Sequence, residues 1–255
     1  MTLYGKTLVV TGVASGIGAE LARLARFQGA YVIGVDRNQP QLSLDDFHQA
    51  DLGDPDSIAA LVSRLPERLH GLCNIAGVPG TAPREAVAQV NYLGLRLLSQ
   101  QLVARLGQGG AIVNVASILG AEWPQRLEQH RALAQIVDFV QAQAWLEAHP
   151  VDQATCYQYF KEALIVWSFV QSQTWFREFG VRLNCVAPGP VFTPILGDFV
   201  SMLGEERVAR DSQRMPRPAL ADEVAAAIAF LCSDASRWIN GVNLPVDGGL
   251  AASYV

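Results

Sequence analysis

The feature that most constrains the fold is a short apolar strand that runs into a glycine-rich turn and then into a helix. Thr7 to Thr11 is rich in β-branched residues and predicts a buried strand. The turn Gly12-Val13-Ala14-Ser15-Gly16-Ile17-Gly18 follows, and apolar residues then recur at helical spacing as far as Phe27. Glycines in such a turn let the backbone approach a pyrophosphate, which the free N–H groups at the helix start stabilise. The pattern favours a dinucleotide site over an ordinary connection between a strand and a helix.

The second strand ends in a carboxylate that bears on the choice of dinucleotide. Tyr31 to Asp36 reads as this strand, and Asp36 lies 18 residues after Gly18. A carboxylate at that spacing accepts hydrogen bonds from the adenosine ribose and repels a 2′-phosphate. Arg37 follows directly and could accommodate such a phosphate. On balance the sequence predicts NAD as the cofactor.

Strand and helix patterns alternate along most of the remaining chain. Its 255 residues, half of them apolar, are enough for one large core, so a single α/β domain is expected. Further strands are predicted at Phe47–Leu52, Gly71–Gly77, Ala111–Ser117, Val181–Ala187 and Val242–Val246. Two segments interrupt the alternation. Residues 122–153 carry an apolar stripe at helical spacing, and residues 194–217 are loosely patterned, as expected of a mobile lid over a cleft.

Charge and cysteine usage exclude several classes of protein. The net charge of −5 and the absence of a basic cluster argue against nucleic-acid and anionic-membrane partners. No apolar run is long enough to span a bilayer, and the first residues lack a secretory signal. The four cysteines have no metal-type spacing, so free thiols in a reducing compartment and no metal site are expected. The predicted location is the cytoplasm.

A candidate acid/base pair opens a long helical segment. Tyr157 and Lys161 are four residues apart and therefore share a helix face. A fixed positive charge near a phenol favours the phenolate and lowers its pKa, which suits proton transfer with an alcohol oxygen. The spacing also occurs on amphipathic helices with a surface lysine. The chain has only two lysines, however, and one of them is at this position.

Two further features point to the same cleft. Asn91 and Gly94 lie inside the predicted helix Glu85–Leu106, where both residue types cost helix stability and therefore suggest a functional or packing role. Ser117 ends a predicted strand, and ligands of open α/β sheets bind outside the carboxyl ends of the strands.

Taken together, these residues resemble the short-chain dehydrogenase/reductase family over essentially the whole chain. The matching pieces are Thr11-Gly12-x3-Gly16-x-Gly18, Asp51, Asn74-x-Ala76-Gly77, Asn91, Ser117, Tyr157-x3-Lys161, Pro188-Gly189 with Thr193, and Asp247-Gly248-Gly249. The resemblance implies a Rossmann-type, doubly wound parallel sheet of seven strands with helices on both faces.

The resemblance also implies roles for individual residues. Tyr157 would be the acid/base, Lys161 would lower its pKa, Ser117 would hold the substrate oxygen, and Asn91 would hold a water that links Lys161 to solvent. The implied cofactor site comprises Gly12, Ser15, Gly16, Ile17, Gly18, Asp36, Arg37, Asp51, Leu52, Asn74, Ala76, Gly77, Tyr157, Lys161, Pro188, Gly189, Val191 and Thr193. Family members that have become dinucleotide sensors typically lose the tyrosine or the lysine, so a non-catalytic role is a remote alternative.

The chain departs from the family pattern before the catalytic helix. The 40-residue gap from Ser117 to Tyr157 is unusually long, and the gap between Asp36 and Asp51 is short. An insertion in this place resembles the bacterial 3α-hydroxysteroid dehydrogenase/carbonyl reductase branch, whose relatives include coniferyl alcohol dehydrogenases. By that resemblance the insertion would cover the usual four-helix interface, and a homodimer would form through the last helix and strand instead.

The substrate is expected to be a large, flat, apolar alcohol or ketone. The predicted substrate residues are Ser117, Trp123, Tyr157, Pro190, Ile195, Leu196, Phe199, Met202 and Met215, with Pro79 on the facing rim. Such a lining suits both a steroid and a phenylpropenoid alcohol. Because of the insertion, the preferred interpretation is reversible oxidation of a 3α-hydroxysteroid, with coniferyl-type aryl-allylic alcohols as the alternative.

Overall fold

The computed structural model describes residues 2–255, and in this range seven strands form one parallel sheet in the order β3-β2-β1-β4-β5-β6-β7. The strands are β1 (Thr7–Thr11), β2 (Tyr31–Asp36), β3 (Asp46–Gln49), β4 (Gly71–Asn74), β5 (Ala111–Val115), β6 (Arg182–Pro188) and β7 (Asn243–Val246). All six strand pairs are parallel. The strand order reverses between β1 and β4, which opens a crevice at the carboxyl ends of the strands. The predicted Rossmann-type sheet is therefore confirmed.

Helices cover both faces of the sheet. They are α1 (Gly16–Phe27), α2 (Pro55–Arg64), α3 (Arg84–Ala88), α4 (Leu95–Leu106), α5 (Leu127–Gln135), α6 (Phe139–Ala148), α7 (Cys156–Phe179), α8 (Leu196–Leu203), α9 (Glu205–Arg214) and α10 (Ala221–Cys232). Successive residues of a strand point to opposite faces. In β1, Val9 packs with α2, α4 and α7, whereas Leu8 and Val10 pack with α1 and α10. One sheet thus separates two apolar cores.

The helix predicted at Glu85–Leu106 has a π-helical turn in its middle, at Gln89–Gly94. This turn contains both residues that were singled out for their low helix propensity. Gly94 lies so close to Leu52 that an added Cβ would be 1.7 Å from the Leu52 carbonyl oxygen, so only glycine fits. Insertions of this kind often occur at functional sites.

The insertion forms helices α5 and α6, which lie on the outer side of α7 and of the π-helical turn. Helix α5 is fastened to α7 by a buried carboxylate. Glu162 accepts hydrogen bonds from Arg126 Nη1 at 2.8 and 2.9 Å and from His130 Nε2 at 2.8 Å. The side chains of Glu162 and His130 are 1% and 0% exposed. The insertion is therefore part of the packed molecule and not a solvent-exposed loop.

A second contact holds the end of α5. The buried guanidinium of Arg96 on α4 donates to the carbonyl oxygens of Leu133 and Ile136. The last carbonyl groups of a helix lack partners within the helix, and Arg96 supplies such a partner at the end of α5. A positive charge at this end also complements the helix dipole. The insertion thus covers the outer side of the long helices α4 and α7. The homodimer itself stays a prediction, which light scattering would test.

The segment predicted as a loosely patterned lid contains two helices, α8 and α9. Apolar residues of α8 face inward over the carboxyl ends of the strands, and Phe199 packs edge-on against Tyr157 at 5.0 Å between ring centroids. Within residues 2–255, no helix combines the length and the apolar character needed to cross a bilayer.

The Glu162 contact yields a prediction about stability. We expect Glu162→Gln to lower the free energy of unfolding by about 3 kcal/mol, because it removes one charge from a buried, hydrogen-bonded ion pair. Glu128→Gln is the matched control, since Glu128 belongs to α5 but its side chain is 85% exposed; its effect should stay within about 0.5 kcal/mol. Urea unfolding of both variants measures the difference, and equal effects would contradict the assignment.

Candidate active site

Two cavities lie side by side at the carboxyl ends of the strands and share one wall. Both are lined by Ile17, Ile75, Gly77, Val78, Thr193 and Ile195. The first cavity, of about 240 Å³, extends over the glycine-rich turn towards Asp36 and Asp51. The second, of about 220 Å³, extends over Ser117, Tyr157 and Lys161 and under the lid. Together they form a continuous cleft with a polar end and an apolar end.

The turn after β1 is held by unusually close backbone contacts. A Cβ on Gly12 would lie 2.9 Å from the Ala76 nitrogen, and one on Gly18 would lie 2.1 Å from the Gly12 carbonyl oxygen. The hydroxyl of Thr11 accepts hydrogen bonds from the N–H groups of Ile75 and Ala76 at 2.9 and 3.0 Å. These contacts join the ends of β1 and β4 and leave the start of α1 facing the first cavity, where an anionic group would be stabilised.

Two carboxylates end the first cavity. Asp36 Oδ2 accepts a hydrogen bond from the Ala14 N–H at 2.9 Å, and its Oδ1 accepts one from Asn38 at 2.8 Å. Asp51 Oδ1 accepts from the Gly53 N–H at 2.8 Å. Other predicted cofactor residues in this wall are Gly12, Ser15, Gly16, Ile17, Gly18, Arg37, Leu52, Ala76, Gly77 and Thr193. This end presents backbone donors, two carboxylates and the guanidinium-bearing Arg37.

The second cavity brings the predicted catalytic side chains together. Ser117, Tyr157 and Lys161 all line it, with Pro188, Gly189, Pro190 and Val191 beside them. Lys161 Nζ lies 5.5 Å from the centre of the Tyr157 ring and donates a hydrogen bond to the Val115 carbonyl oxygen at 2.7 Å. The Ser117 hydroxyl accepts from the Leu119 N–H at 3.2 Å, which holds it at the start of a short 3₁₀ turn.

Burial shifts the pKa values of both ionisable groups in this cavity. It raises the pKa of the Tyr157 phenol above its ordinary value, and a hydrogen bond from Ser117 offsets part of that rise. Burial also lowers the pKa of Lys161 to about 8. Lys161 is therefore still mostly protonated at neutral pH and supplies a positive charge close to the phenol.

Asn91 makes a paired contact with one residue of the wall. Its Oδ1 accepts from the Val78 N–H at 2.8 Å, and its Nδ2 donates to the Val78 carbonyl oxygen at 2.9 Å. Asn91 thereby fixes the segment after β4, which is common to both cavities. The π-helical turn makes this contact possible, because it carries Asn91 towards the cleft. Its role as a water ligand stays a prediction.

Three predicted site residues lie elsewhere. The Asn74 amide points into the core, where it donates to Ser99 Oγ and Asn114 Oδ1. Trp123 is not on the rim, since it packs against Phe169 at 5.4 Å between ring centroids. Met202 lies over Gly80, close to the Cβ of Tyr157, and Leu203 lines the cavity instead. None of these three residues lines either cavity, so their predicted roles in binding cofactor or substrate gain no support from the cavity walls and stay predictions.

The structure adds wall residues that the sequence did not indicate. They are Ile118 and Leu119 in the turn after Ser117, and Val208, Asp211 and Ser212 in the lid. Ile195, Leu196, Phe199 and Met215 line the cavity as predicted from their apolar character. A helical projection of Glu205–Arg214 would have placed Val208 and Asp211 on one face. In the described part of the chain, no cluster of His, Cys, Asp or Glu could hold a metal ion.

Comparison with known proteins assigns the family. The family model described as "short chain dehydrogenase" matches residues 6–128, and the one described as "Enoyl-(Acyl carrier protein) reductase" matches residues 139–251. A coniferyl-alcohol dehydrogenase of Pseudomonas sp. (strain HR199) is 62% identical over 255 residues, which is 100% of each chain. A 3-alpha-hydroxysteroid dehydrogenase/carbonyl reductase of Comamonas testosteroni is 30% identical over 96% of each chain.

A solved structure is similar over nearly the same length. The 3-alpha-hydroxysteroid dehydrogenase from Pseudomonas sp. B-0831, complexed with NADH, has a TM-score of 0.79 and 36% identity over 97% of this chain and 98% of that one. The chain belongs to the short-chain dehydrogenase/reductase family. By class it is therefore an alcohol oxidoreductase, as its sequence predicted.

The lowered pKa of Lys161 yields a prediction about stability and pH. Between about pH 8 and 10.5 an unfolded chain keeps this proton while the folded chain loses it, so folding becomes more favourable as the pH rises through that window. In Lys161→Met the contribution is absent. From pH 8 to 10.5, we expect the free energy of unfolding of the wild type to increase by roughly 3 kcal/mol more than that of Lys161→Met. Urea unfolding across this range measures the gain, and parallel pH profiles would contradict it.

Proposed function

We propose that this protein is an NAD-dependent dehydrogenase of coniferyl alcohol and related aryl-allylic alcohols. The observation that carries the proposal is the 62% identity over the full length to a coniferyl-alcohol dehydrogenase. The apolar cavity beside Ser117, Tyr157 and Lys161 is consistent with it, because that cavity can bury a flat aromatic body and expose one carbinol oxygen to the phenol.

The preference for a 3α-hydroxysteroid is wrong. It rested on the insertion, which relatives of both substrate types have in common. The two 3-alpha-hydroxysteroid dehydrogenases are only 30% and 36% identical to this chain, about half the identity of the coniferyl-alcohol dehydrogenase. A coniferyl-type aryl-allylic alcohol, the alternative substrate, is therefore preferred over a 3α-hydroxysteroid.

In the proposed reaction, Tyr157 exchanges a proton with the substrate oxygen. For alcohol oxidation the phenolate takes the hydroxyl proton while the carbinol carbon loses a hydride, and an aldehyde results. Bound NAD supplies the hydride acceptor. Because burial raises the pKa of Tyr157, its phenolate needs an opposing charge. Lys161, 5.5 Å from the ring centre, would supply a favourable interaction of about 3 kcal/mol at an effective dielectric constant of 20.

Ser117 and Asn91 have supporting roles in this proposal. The Ser117 hydroxyl would bind the substrate oxygen and stabilise negative charge that develops there. Asn91 would act through its contacts with Val78, which fix the wall between the two cavities. The lid would close the cleft through Phe199, whose ring packs on that of Tyr157, and so exclude water during hydride transfer.

The predicted cofactor, NAD, agrees with the family and with the similar structure that contains NADH. In the proposed arrangement, the pyrophosphate lies at the start of α1 and the adenosine ribose lies near Asp36. The Asp36 carboxylate already accepts hydrogen bonds from Ala14 and Asn38 and would also repel a 2′-phosphate.

The decisive assay is NADH production from coniferyl alcohol beside androsterone at matched low concentrations. We expect a clear preference for the aryl alcohol in kcat/KM. Tyr157→Phe should lower kcat by at least about 10³-fold, with NADH binding nearly intact, since the phenol proton is needed only in the transition state.

Tyr159→Phe is the matched control, because Tyr159 is two residues away on the same helix and contacts His130 outside the cleft. It should keep most of the activity. A preference for the steroid would overturn the proposed substrate. Equal losses in both variants would overturn the assignment of Tyr157, and the absence of turnover with any alcohol would favour a dinucleotide-sensing role.

The proposed role of Asp36 has its own test. Asp36→Asn keeps the shape of the side chain but removes its charge, so the preference for NAD over NADP should narrow by about tenfold or more, equivalent to about 1.4 kcal/mol. Asp46→Asn on the neighbouring strand β3 is the control, since Asp46 is outside the cavity wall. The measurement is kcat/KM for NAD and for NADP with coniferyl alcohol. If the ratio of the two values is unchanged in Asp36→Asn, Asp36 does not determine the cofactor preference.

A further inference from the structure

The apolar wall of the second cavity contains one buried carboxylate, that of Asp211. The lid helices α8 and α9 otherwise present mostly apolar side chains to the cavity, among them Leu196, Phe199, Val200, Leu203 and Val208. Asp211 is 6% exposed and lies on α9, one helical turn after Val208. Burial of a carboxylate among apolar groups is costly unless hydrogen bonds satisfy it. Its position therefore calls for an explanation.

The C-terminal turn, residues 251–254, supplies a hydrogen-bond partner for one of the two carboxylate oxygens of Asp211. The Tyr254 hydroxyl donates a hydrogen bond to Asp211 Oδ1. The guanidinium of Arg214 lies 4.1 Å from the centre of the Tyr254 ring and donates to the carbonyl oxygen of Ser253. These contacts hold α9 against residues 251–254. They also fix the direction of the Asp211 side chain, so its carboxylate is preorganised.

The second oxygen is not satisfied in the same way. In the described residues, Asp211 Oδ2 has no hydrogen-bond donor within bonding distance. Arg207 Nε is 3.8 Å away, which is too long for a hydrogen bond, and the Arg207 side chain is 42% exposed. One carboxylate oxygen is thus anchored by Tyr254, and the other, which only the partly exposed Arg207 approaches, remains able to accept a hydrogen bond.

Asp211 and the catalytic groups lie on different walls of the same cavity. Ser117 follows β5 and Tyr157 lies on α7, whereas Asp211 belongs to the lid. An apolar ligand that places its carbinol oxygen at Tyr157 would extend under the lid. A hydroxyl group at its far end could then approach Asp211.

We propose that Asp211 is a specificity-determining residue that accepts a hydrogen bond from a phenolic hydroxyl on the aromatic ring of the substrate. The proposal rests on the proposed function and narrows it to ring-hydroxylated aryl-allylic alcohols. A hydroxyl donor to a carboxylate forms a strong, charge-assisted bond. A substrate without this donor forgoes that bond, and sites built around a hydrogen bond to a substrate hydroxyl discriminate strongly against analogues that lack it.

The test compares coniferyl alcohol with its phenol methyl ether, 3,4-dimethoxycinnamyl alcohol, which has the same carbinol but no phenolic proton. For the wild type we expect kcat/KM to favour coniferyl alcohol by at least about tenfold. In Asp211→Asn the ratio should fall to within about threefold of unity, mainly through KM, because a neutral amide is a weaker acceptor and can itself donate to the ether oxygen. Glu206→Gln, an exposed carboxylate on the same helix, should keep the ratio of the wild type.

The outcomes separate the possible roles of Asp211. If Asp211→Asn lowers kcat/KM for both substrates equally, Asp211 only anchors Tyr254 and the proposal is overturned. A wild type that does not distinguish the two substrates overturns it without any variant. If Asp211→Asn does not fold, a second substrate pair tests the wild type instead: 4-hydroxycinnamyl alcohol should be favoured over cinnamyl alcohol, which lacks the phenolic hydroxyl, by at least about tenfold in kcat/KM, and equal values overturn the proposal. Failure of the proposed function is recognised separately, because the wild type would then oxidise neither alcohol.

Discussion

The shape of the cleft depends on how the backbone N–H and C=O groups find hydrogen-bond partners where the parallel strands end. Beyond the last residues of β1 and β4 the sheet no longer supplies hydrogen-bond partners, yet the backbone is still partly buried. The Thr11 hydroxyl accepts from Ile75 and Ala76, and Asn91 pairs with both backbone groups of Val78. Two side chains thus shape the wall that the two cavities share. The π-helical turn follows from the same need, since it brings Asn91 to Val78.

Helix α7 connects this cleft to the insertion. Tyr157 and Lys161 face the cavity, while Glu162, the next residue, faces α5 and binds Arg126 and His130. Because adjacent helical residues point about 100° apart, one helix can serve two unrelated surfaces. The insertion therefore packs against the helix that carries the chemistry, without contributing to the lining of either cavity. The insertion contacts α7 on the side that faces away from the sheet.

The lid sets the character of the substrate cavity. Its apolar residues come from two short helices that cross the carboxyl ends of the strands, and Phe199 contacts the Tyr157 ring directly. Asp211 is the exception in this wall, and it is held by residues at the C-terminal end of the described chain. The proposed catalytic groups and the proposed specificity group consequently belong to different parts of the fold. Ser117 follows the sheet strand β5, and Tyr157 and Lys161 lie on α7, whereas Asp211 lies on the lid.

The sequence by itself determined the order and type of most elements, because apolar periodicity and turn residues act over short range. It also determined the glycine-rich turn, the position of Asp36, and the shared face of Tyr157 and Lys161, which follows from a spacing of four on one helix. Only the tertiary structure decided where Asn74, Trp123 and Met202 point, since each packs against a segment distant in sequence. It alone placed Asp211 in the cavity wall, because the position of α9 depends on contacts of Asp211 and Arg214 with the C-terminal turn, which is distant in sequence.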